Sequence, residues 1–337
     1  MSKTPDIKSL AKLGKYQELV DCWSRTKFDL AIVFERAVTD FRTVKRNPGH
    51  QRILQFCIEQ RLSLESRVDW LGQPLLCTAA MYGNSEFVNW VSGQAVPSNN
   101  FVRASLGDVE YIASLSRQEL NRHDANDWNL LHYVCASALG RDCAQTRKRL
   151  REVCDLLFEN GVSANHCVNN QVEITPALLC AWFGGDAAIM EKLLDGGGVD
   201  SATLHQAVEF ALEPHQRSGE PFVAVANAIL NSGFAINSIR PDQARTVLHG
   251  CAHRGSVGAV AWLLKNGADP KVQDDQQRTP LHLAAIRNTH ASVCKLLLEK
   301  GADLNARDSD SKTPYQYAVE NRRIKVADIL KAEQRRG

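Results

Sequence analysis

One pattern constrains this chain more than any other. Thr246-Val247-Leu248-His249-Gly250-Cys251-Ala252 recurs 33 residues later as Thr279-Pro280-Leu281-His282-Leu283-Ala284-Ala285. It returns in looser form after a further 34 residues, as Thr313-Pro314-Tyr315-Gln316-Tyr317-Ala318. The first two copies share a tail, Leu263-Leu264-Lys265-Asn266-Gly267-Ala268-Asp269 and Leu297-Leu298-Glu299-Lys300-Gly301-Ala302-Asp303. Thr is a good helix N-cap, and Pro suits the first helical turn. Leu followed by paired Ala puts small residues where a neighbouring helix must come close. The Leu run builds a second, more apolar helix, which Gly301 ends in a left-handed cap. The polar stretch Asn305–Asp310 then turns into the next unit. Such a unit cannot bury its apolar face alone, so units must stack.

This pattern resembles the ankyrin repeat family, whose signature includes T-P-L-H-x-A at a 33-residue period. The match is best over Thr246–Leu330 and continues upstream in degraded form. Thr175-Pro176-Ala177-Leu178-Leu179-Cys180-Ala181, Asn129-Leu130-Leu131-His132-Tyr133-Val134-Cys135 and Leu75-Leu76-Cys77-Thr78-Ala79-Ala80 each open a unit. Weaker openings stand at Thr203, Ala104 and Ala11, and 30–62 reads as a helix pair without the loop signature. The resemblance implies an all-α ankyrin-repeat solenoid of about nine to ten helix-pair units. Residues 1–120 would hold degenerate N-terminal repeats. Residues 121–337 would continue them with clearer repeats and a polar C-terminal cap.

Composition fits this reading and narrows it. A length of 337 residues would suggest about two ordinary domains, but the repeat points to one stack. Lys plus Arg is 40 against 38 Asp plus Glu, a balance unsuited to a general nucleic-acid binder. No apolar run approaches the ~18 residues of a membrane span, and Met1-Ser2-Lys3-Thr4-Pro5 has no signal-peptide core. Ten scattered cysteines, with no Cys-x-x-Cys, fit free thiols in a reducing compartment. We therefore expect a cytoplasmic protein, with the nucleus left open, that is monomeric when unbound and has no membrane partner.

No enzyme motif stands out: there is no Gly-x-Ser-x-Gly, His-Glu-x-x-His, P-loop or Gly-x-Gly-x-x-Gly. His249, Cys251 and His253 look like a metal triplet, but spacing by two on a helix puts Cys251 on a different face. In the family, His249 would be a structural hydrogen-bonding residue. We expect no catalytic residue, no cofactor and no metal. Leu297, Asp303, Leu304 and Asn305 resemble the pattern on which asparaginyl hydroxylation of ankyrin repeats occurs, although Asn at this place also suits the turn.

The resemblance implies that one or more partner proteins bind against the first helices and loop tips. Counting the signature Leu as zero, positions five and six point toward that concave face. They are Met81 and Tyr82, Ala136 and Ser137, Trp182 and Phe183, Glu209 and Phe210, His253 and Arg254, Ile286 and Arg287. Aromatic and Arg side chains at a surface centre have the character of interface hot spots. Tyr82, Trp182, Phe183, Phe210, His253 and Arg254 are therefore candidate contacts, with Trp70 and Trp128 at loop tips. Two outcomes stay open for Trp182 and Phe183: partner contact, or burial where irregular units repack. Trp90 and Trp262, in second helices, are expected to pack in the core.

The alternative function is polyanion or nucleic-acid binding. Residues 42–52 and 141–151 read as basic insertions between paired helices. At ~8–10 Å per helix layer they would lie on the order of 30 Å apart. Arg42, Lys45, Arg46, Arg147, Lys148, Arg149 and Arg151 would form that edge. No aromatic interleaves with these charges, which weakens a single-strand reading.

Overall fold

The computed structural model describes residues 6–25, 27–39, 48–63, 73–92, 99–141, 143–170, 172–196, 199–213, 222–240, 244–287 and 291–335. These residues form two compact units, divided after Gly196. The division does not coincide with residue 120, where the sequence repeat becomes easier to read.

The first unit is built from helix pairs. They are α1 (Ile7–Lys12) with α2 (Tyr16–Arg25), α3 (Leu30–Thr39) with α4 (Pro48–Glu59), and α5 (Leu75–Met81) with α6 (Ser85–Ser92). Next come α7 (Asn100–Leu106) with α8 (Val109–Ala113), the short α9 (Arg117–Leu120), and α10 (Leu130–Ala136) with α11 (Ala144–Glu159). A two-stranded antiparallel hairpin follows, β1 (Val168–Asn170) and β2 (Val172–Ile174), with Val168 opposite Ile174. The last pair is α12 (Pro176–Leu179), continued by a π turn over Cys180–Gly184, with α13 (Ala187–Asp195). First helices pack on first helices from α1 to α12, and second helices on second helices. The degenerate copies at residues 11, 30 and 104 are thus real helix pairs, and the hairpin is an addition to the all-α plan.

The second unit holds α14 (Ser201–Leu212) with α15 (Val223–Asn231), α16 (Val247–Arg254) with α17 (Val257–Lys265), α18 (Pro280–Arg287) with α19 (Ala291–Glu299), and α20 (Pro314–Glu320) with α21 (Ile324–Gln334). It stacks in the same way, α14 through α20 on one side and α17 through α21 on the other.

The signature residues do the local work expected of them. Thr175 and Thr313 accept at their side chains from Leu178 N–H and Gln316 N–H, and Pro176 and Pro314 occupy the first helical turn. Gly301 has φ +84°, the left-handed stop after α19. The paired alanines, Ala79 and Ala80 or Ala284 and Ala285, are fully buried between first helices.

The signature histidine links one unit to the next. Nδ1 of His132, His249 and His282 accepts from the backbone N–H of Asn129, Thr246 and Thr279, at 3.3, 3.2 and 3.1 Å. Nε2 faces the carbonyls of Ile174, Arg278 and Lys312, at 3.4, 3.0 and 3.1 Å. For His249 and His282, an acceptor role at Nδ1 and a carbonyl at Nε2 fix the neutral tautomer with the proton on Nε2, whereas His132 Nδ1 also lies 2.7 Å from Asn129 Oδ1. Burial pushes His132 down to about 3 and His249 to about 4, and lowers His282 in the same direction.

An aspartate organises three of the loops. Asp124 Oδ1 accepts from Asn126 and Trp128 N–H, Asp274 Oδ1 from Gln276 and Arg278 N–H, and Asp308 Oδ1 from Asp310 and Lys312 N–H. The tip residues Asp127, Gln277 and Ser311 then take φ of 64°, 58° and 61°.

Candidate functional site

In the first unit the predicted concave positions converge. Tyr82 caps the C-terminus of α5 and is half-buried, while Met81 beside it is buried. Helix α10 ends at Ala136, and Ser137 continues in extended backbone. Ala138 N–H then donates to the Ala80 carbonyl at 3.0 Å, drawing the ends of α10 and α5 together past the short α7. The π turn places Trp182 and Phe183 over this junction. Gly185 N–H bonds the Cys180 carbonyl at 2.7 Å, closing a turn with one residue more than an α-helix allows.

The result is an aromatic cluster. The Trp182 and Phe183 rings stack at 5.0 Å, and Tyr82 meets Phe183 edge-on at 5.7 Å. Phe183 is buried, so it supports the cluster from below, whereas Trp182 and Tyr82 keep part of their surface in solvent. Burial therefore holds for Phe183, while Trp182 stays half-exposed. Gly184 is required here: a Cβ would stand 2.3 Å from the Cys135 carbonyl oxygen.

In the second unit the same positions carry charge. Glu209 on α14 is buried. Arg254 at the end of α16 reaches its carboxylate at 2.9 Å and that of Glu213 at 2.7 Å. Ser256 donates to Glu213 at 2.6 Å. Burial pushes the Glu209 carboxyl up, and Arg254 opposes that shift. The glycine of α16, Gly250, makes room for this carboxylate, since a Cβ there would lie 2.2 Å from Glu209 Oε1. Phe210 and His253 are half-buried beside this network. Arg254 is thus half committed to its own chain.

Other candidates need correction. Trp128 is not a loop-tip contact: it is 1% exposed and lies against His132 and Tyr133, at 5.3 and 5.4 Å between rings. The Asp124 turn folds back at Asp127 and sends the next side chain beneath the loop. Trp70 lies outside the described residues. Trp90 and Trp262 are half-buried rather than core.

The basic edge is also redrawn. Arg42, Lys45 and Arg46 lie outside the described residues. Residues 144–151 are no insertion loop but the first two turns of a lengthened α11. Arg147 donates to the Gly140 and Arg141 carbonyls at 2.8 and 2.7 Å. Arg151 clamps Asp186 with two nitrogens, and Lys148 faces Glu152 at 3.5 Å. Arg149 is exposed. Most of this charge is spent on local contacts that hold α11 in place.

A cluster that sequence reading did not connect lies at two successive loops. His123 Nδ1 is 2.7 Å from one Asp127 carboxylate oxygen, and His166 Nε2 is 3.1 Å from the other. The two imidazoles are 4.2 Å apart between ring centroids. The histidine hydrogen bonds hold the Asp127 carboxyl below its ordinary value. The spacing of 43 residues between His123 and His166 hides the pair, because only the stacking of units brings the loops together.

Against known proteins, residues 248–335 match the family model described as Ankyrin repeats (3 copies). The structure is similar to that of the human ASB11 ankyrin repeat domain, with a TM-score of 0.52, covering 70% of this chain and 97% of that one at 22% identity. Residues 248–335 are ankyrin repeats, and the chain has the fold of an ankyrin repeat domain. Its ankyrin repeats are 33% identical to human Rabankyrin-5 over 150 residues, which is 41% of this chain and 12% of that protein. They are 32% identical to the Caenorhabditis elegans homolog of transient receptor potential cation channel subfamily A member 1 over 120 residues, 35% of this chain and 10% of that protein. The chain thus spans only about a tenth of the length of these relatives, and what is shared is the repeats. No helix among the described residues is long and apolar enough to cross a membrane.

Proposed function

We propose that this ankyrin-repeat chain acts as a non-catalytic module that binds a partner protein. Ankyrin repeats are in general protein-interaction modules. The observation that carries the reading is the cluster of Tyr82, Trp182 and Phe183. A buried ring backs two half-exposed aromatics, on first-helix ends held together by backbone contact. Rigid aromatic surface of this kind is where interface energy concentrates. Burial pushes the Cys57, Cys154 and Cys294 thiols up to about 12, away from any nucleophilic range, whereas the hydrogen bond to Thr146 lowers the exposed Cys143 thiol. Whether the chain recruits, scaffolds or inhibits follows from the partner.

The test is quantitative affinity capture from the native host, wild type against a Tyr82→Ala/Trp182→Ala double variant. Circular dichroism and urea midpoints establish that both are folded. We expect a protein retained by wild type to be lost from the variant. Binding hot spots cost ~2 kcal/mol or more on truncation, so a partner held equally by both chains rules out this surface.

A further inference from the structure

The loop cluster of His123, Asp127 and His166 has no part in the aromatic surface, and the fold does not require its chemistry. The same turn is built three times around Asp124, Asp274 and Asp308, with tips at Asp127, Gln277 and Ser311. Gln and Ser serve the tip equally well, so the turn does not call for a carboxylate there. The residue before the anchoring aspartate is His123 in one turn and Gln273 and Arg307 in the others. Two positions that the turn leaves free thus carry metal-ligating groups, and the next loop supplies a third in His166.

The surroundings make these three the ligand set. Asp124 is occupied: its second oxygen accepts from the Tyr133 hydroxyl at 2.6 Å. Both nitrogens of His132 are engaged, by Asn129 and by the Ile174 carbonyl. One donor atom from each of His123, Asp127 and His166 lies within 4.8 Å of the others. A tetrahedral Zn(II) with bonds of ~2.0–2.2 Å spaces its donors by roughly 3.4 Å. The 2.7 and 3.1 Å separations, to different Asp127 oxygens, and the 4.8 Å span of the three donor atoms bracket that spacing, and side-chain rotations bring the set to it. In that movement His166 Nε2 exchanges its 2.8 Å contact with the Asp127 carbonyl for the metal. The side chains are 37%, 61% and 22% exposed, so solvent reaches the cluster and a fourth position is open to water. Two imidazoles and one carboxylate suit a late first-row dication of the zinc class and not Mg(II) or Ca(II), which take all-oxygen sets.

We propose that His123, Asp127 and His166 form a Zn(II)-class site, completed by water, that ties the loops of two successive repeats. The full chain, stripped with a chelator, is titrated with Zn(II) against a chromophoric indicator, and its thermal midpoint is read with Zn(II) and with Mg(II). We expect one equivalent bound at this site and a midpoint raised by Zn(II) but not by Mg(II). Asp127→Asn keeps the turn, since Asn tolerates positive φ, and His166→Gln keeps a side-chain donor for the Asp127 carbonyl. Each should weaken binding at least about tenfold, with His123→Gln as the substitute should either fail to fold. Cys143 and Cys167 are exposed thiols, so a Cys143→Ser/Cys167→Ser chain must bind as wild type does. The proposal is overturned by unchanged Zn(II) affinity in the Asp127 and His166 variants. Loss of binding in the cysteine variant also overturns it, as does a wild type that binds no zinc and uses the cluster as a hydrogen-bonded staple alone.

Discussion

Replacing Arg254 with Met isolates the electrostatics of the second unit. Glu209 is 8% exposed, and its carboxylate is held by Arg254 at 2.9 Å. Removing one partner of a fully buried pair costs ~3–5 kcal/mol, because the other charge stays behind unpaired. Arg254 is 40% exposed, so water enters when it is cut back, and we expect about 2–3 kcal/mol at pH 7.5. The penalty has a sign in pH. Burial already raises the Glu209 carboxyl, and without Arg254 it rises further. The folded variant then binds a proton that the unfolded chain releases, so its deficit shrinks on acidification toward pH 5. Urea denaturation at pH 7.5 and 5.5 reads this directly, comparing Arg254→Met with Glu209→Gln/Arg254→Met. The double variant strands no buried charge and leaves only the half-exposed Glu213, still held by Ser256, so it should recover most of the loss. A double variant as unstable as the single one, or a deficit that grows as pH falls, would refute the reasoning.

Three further outcomes follow from the packing. His249 is held neutral with a folded value of about 4 against an ordinary 6.5, so stability falls as pH drops from 6.5 toward 4, by about 3 kcal/mol for this residue. His249→Gln should flatten the stability curve in that window, and parallel curves would contradict the buried-neutral assignment. Gly184→Ala should destabilise by ~1–3 kcal/mol despite the better helix propensity of Ala, because Cβ would strike the Cys135 carbonyl. Phe183→Ala should cost ~3 kcal/mol and Trp182→Ala clearly less. Equal losses in urea midpoint would mean that the two rings do not divide the roles of support and surface.

The repeat signature made the fold readable because each of its residues solves a local problem. Thr313 caps, Pro314 starts, paired alanines admit the neighbour and Gly301 stops. Counting along the signature places positions five and six at or near the ends of the first helices. What they present was not legible, since that depends on neighbours. A π turn, invisible in composition, sends Phe183 inward and leaves Trp182 half-exposed. Arg254 reads as a surface cation until Glu209 is found beneath it. Trp128 was misplaced because a turn tip and the residue after it face opposite ways. The basic run 141–151 reads as a connecting insertion from its charge alone, whereas 144–151 is helical. Its Leu150, buried in the first turns of α11, was the available helical signal.

The contact between α10 and α5 has a consequence for how this chain can change in length. In an ordinary stack each repeat touches only its neighbours, so a unit can be lost or duplicated and the flanking surfaces simply meet again. Here Ala138 is bonded to Ala80 across the intervening α7 and α8 pair, and Phe183 reaches back to Tyr82. Deleting or copying that middle pair would break both contacts. This stretch is therefore locked at its present number of repeats, while α16 to α21, joined neighbour to neighbour, remain open to insertion and loss.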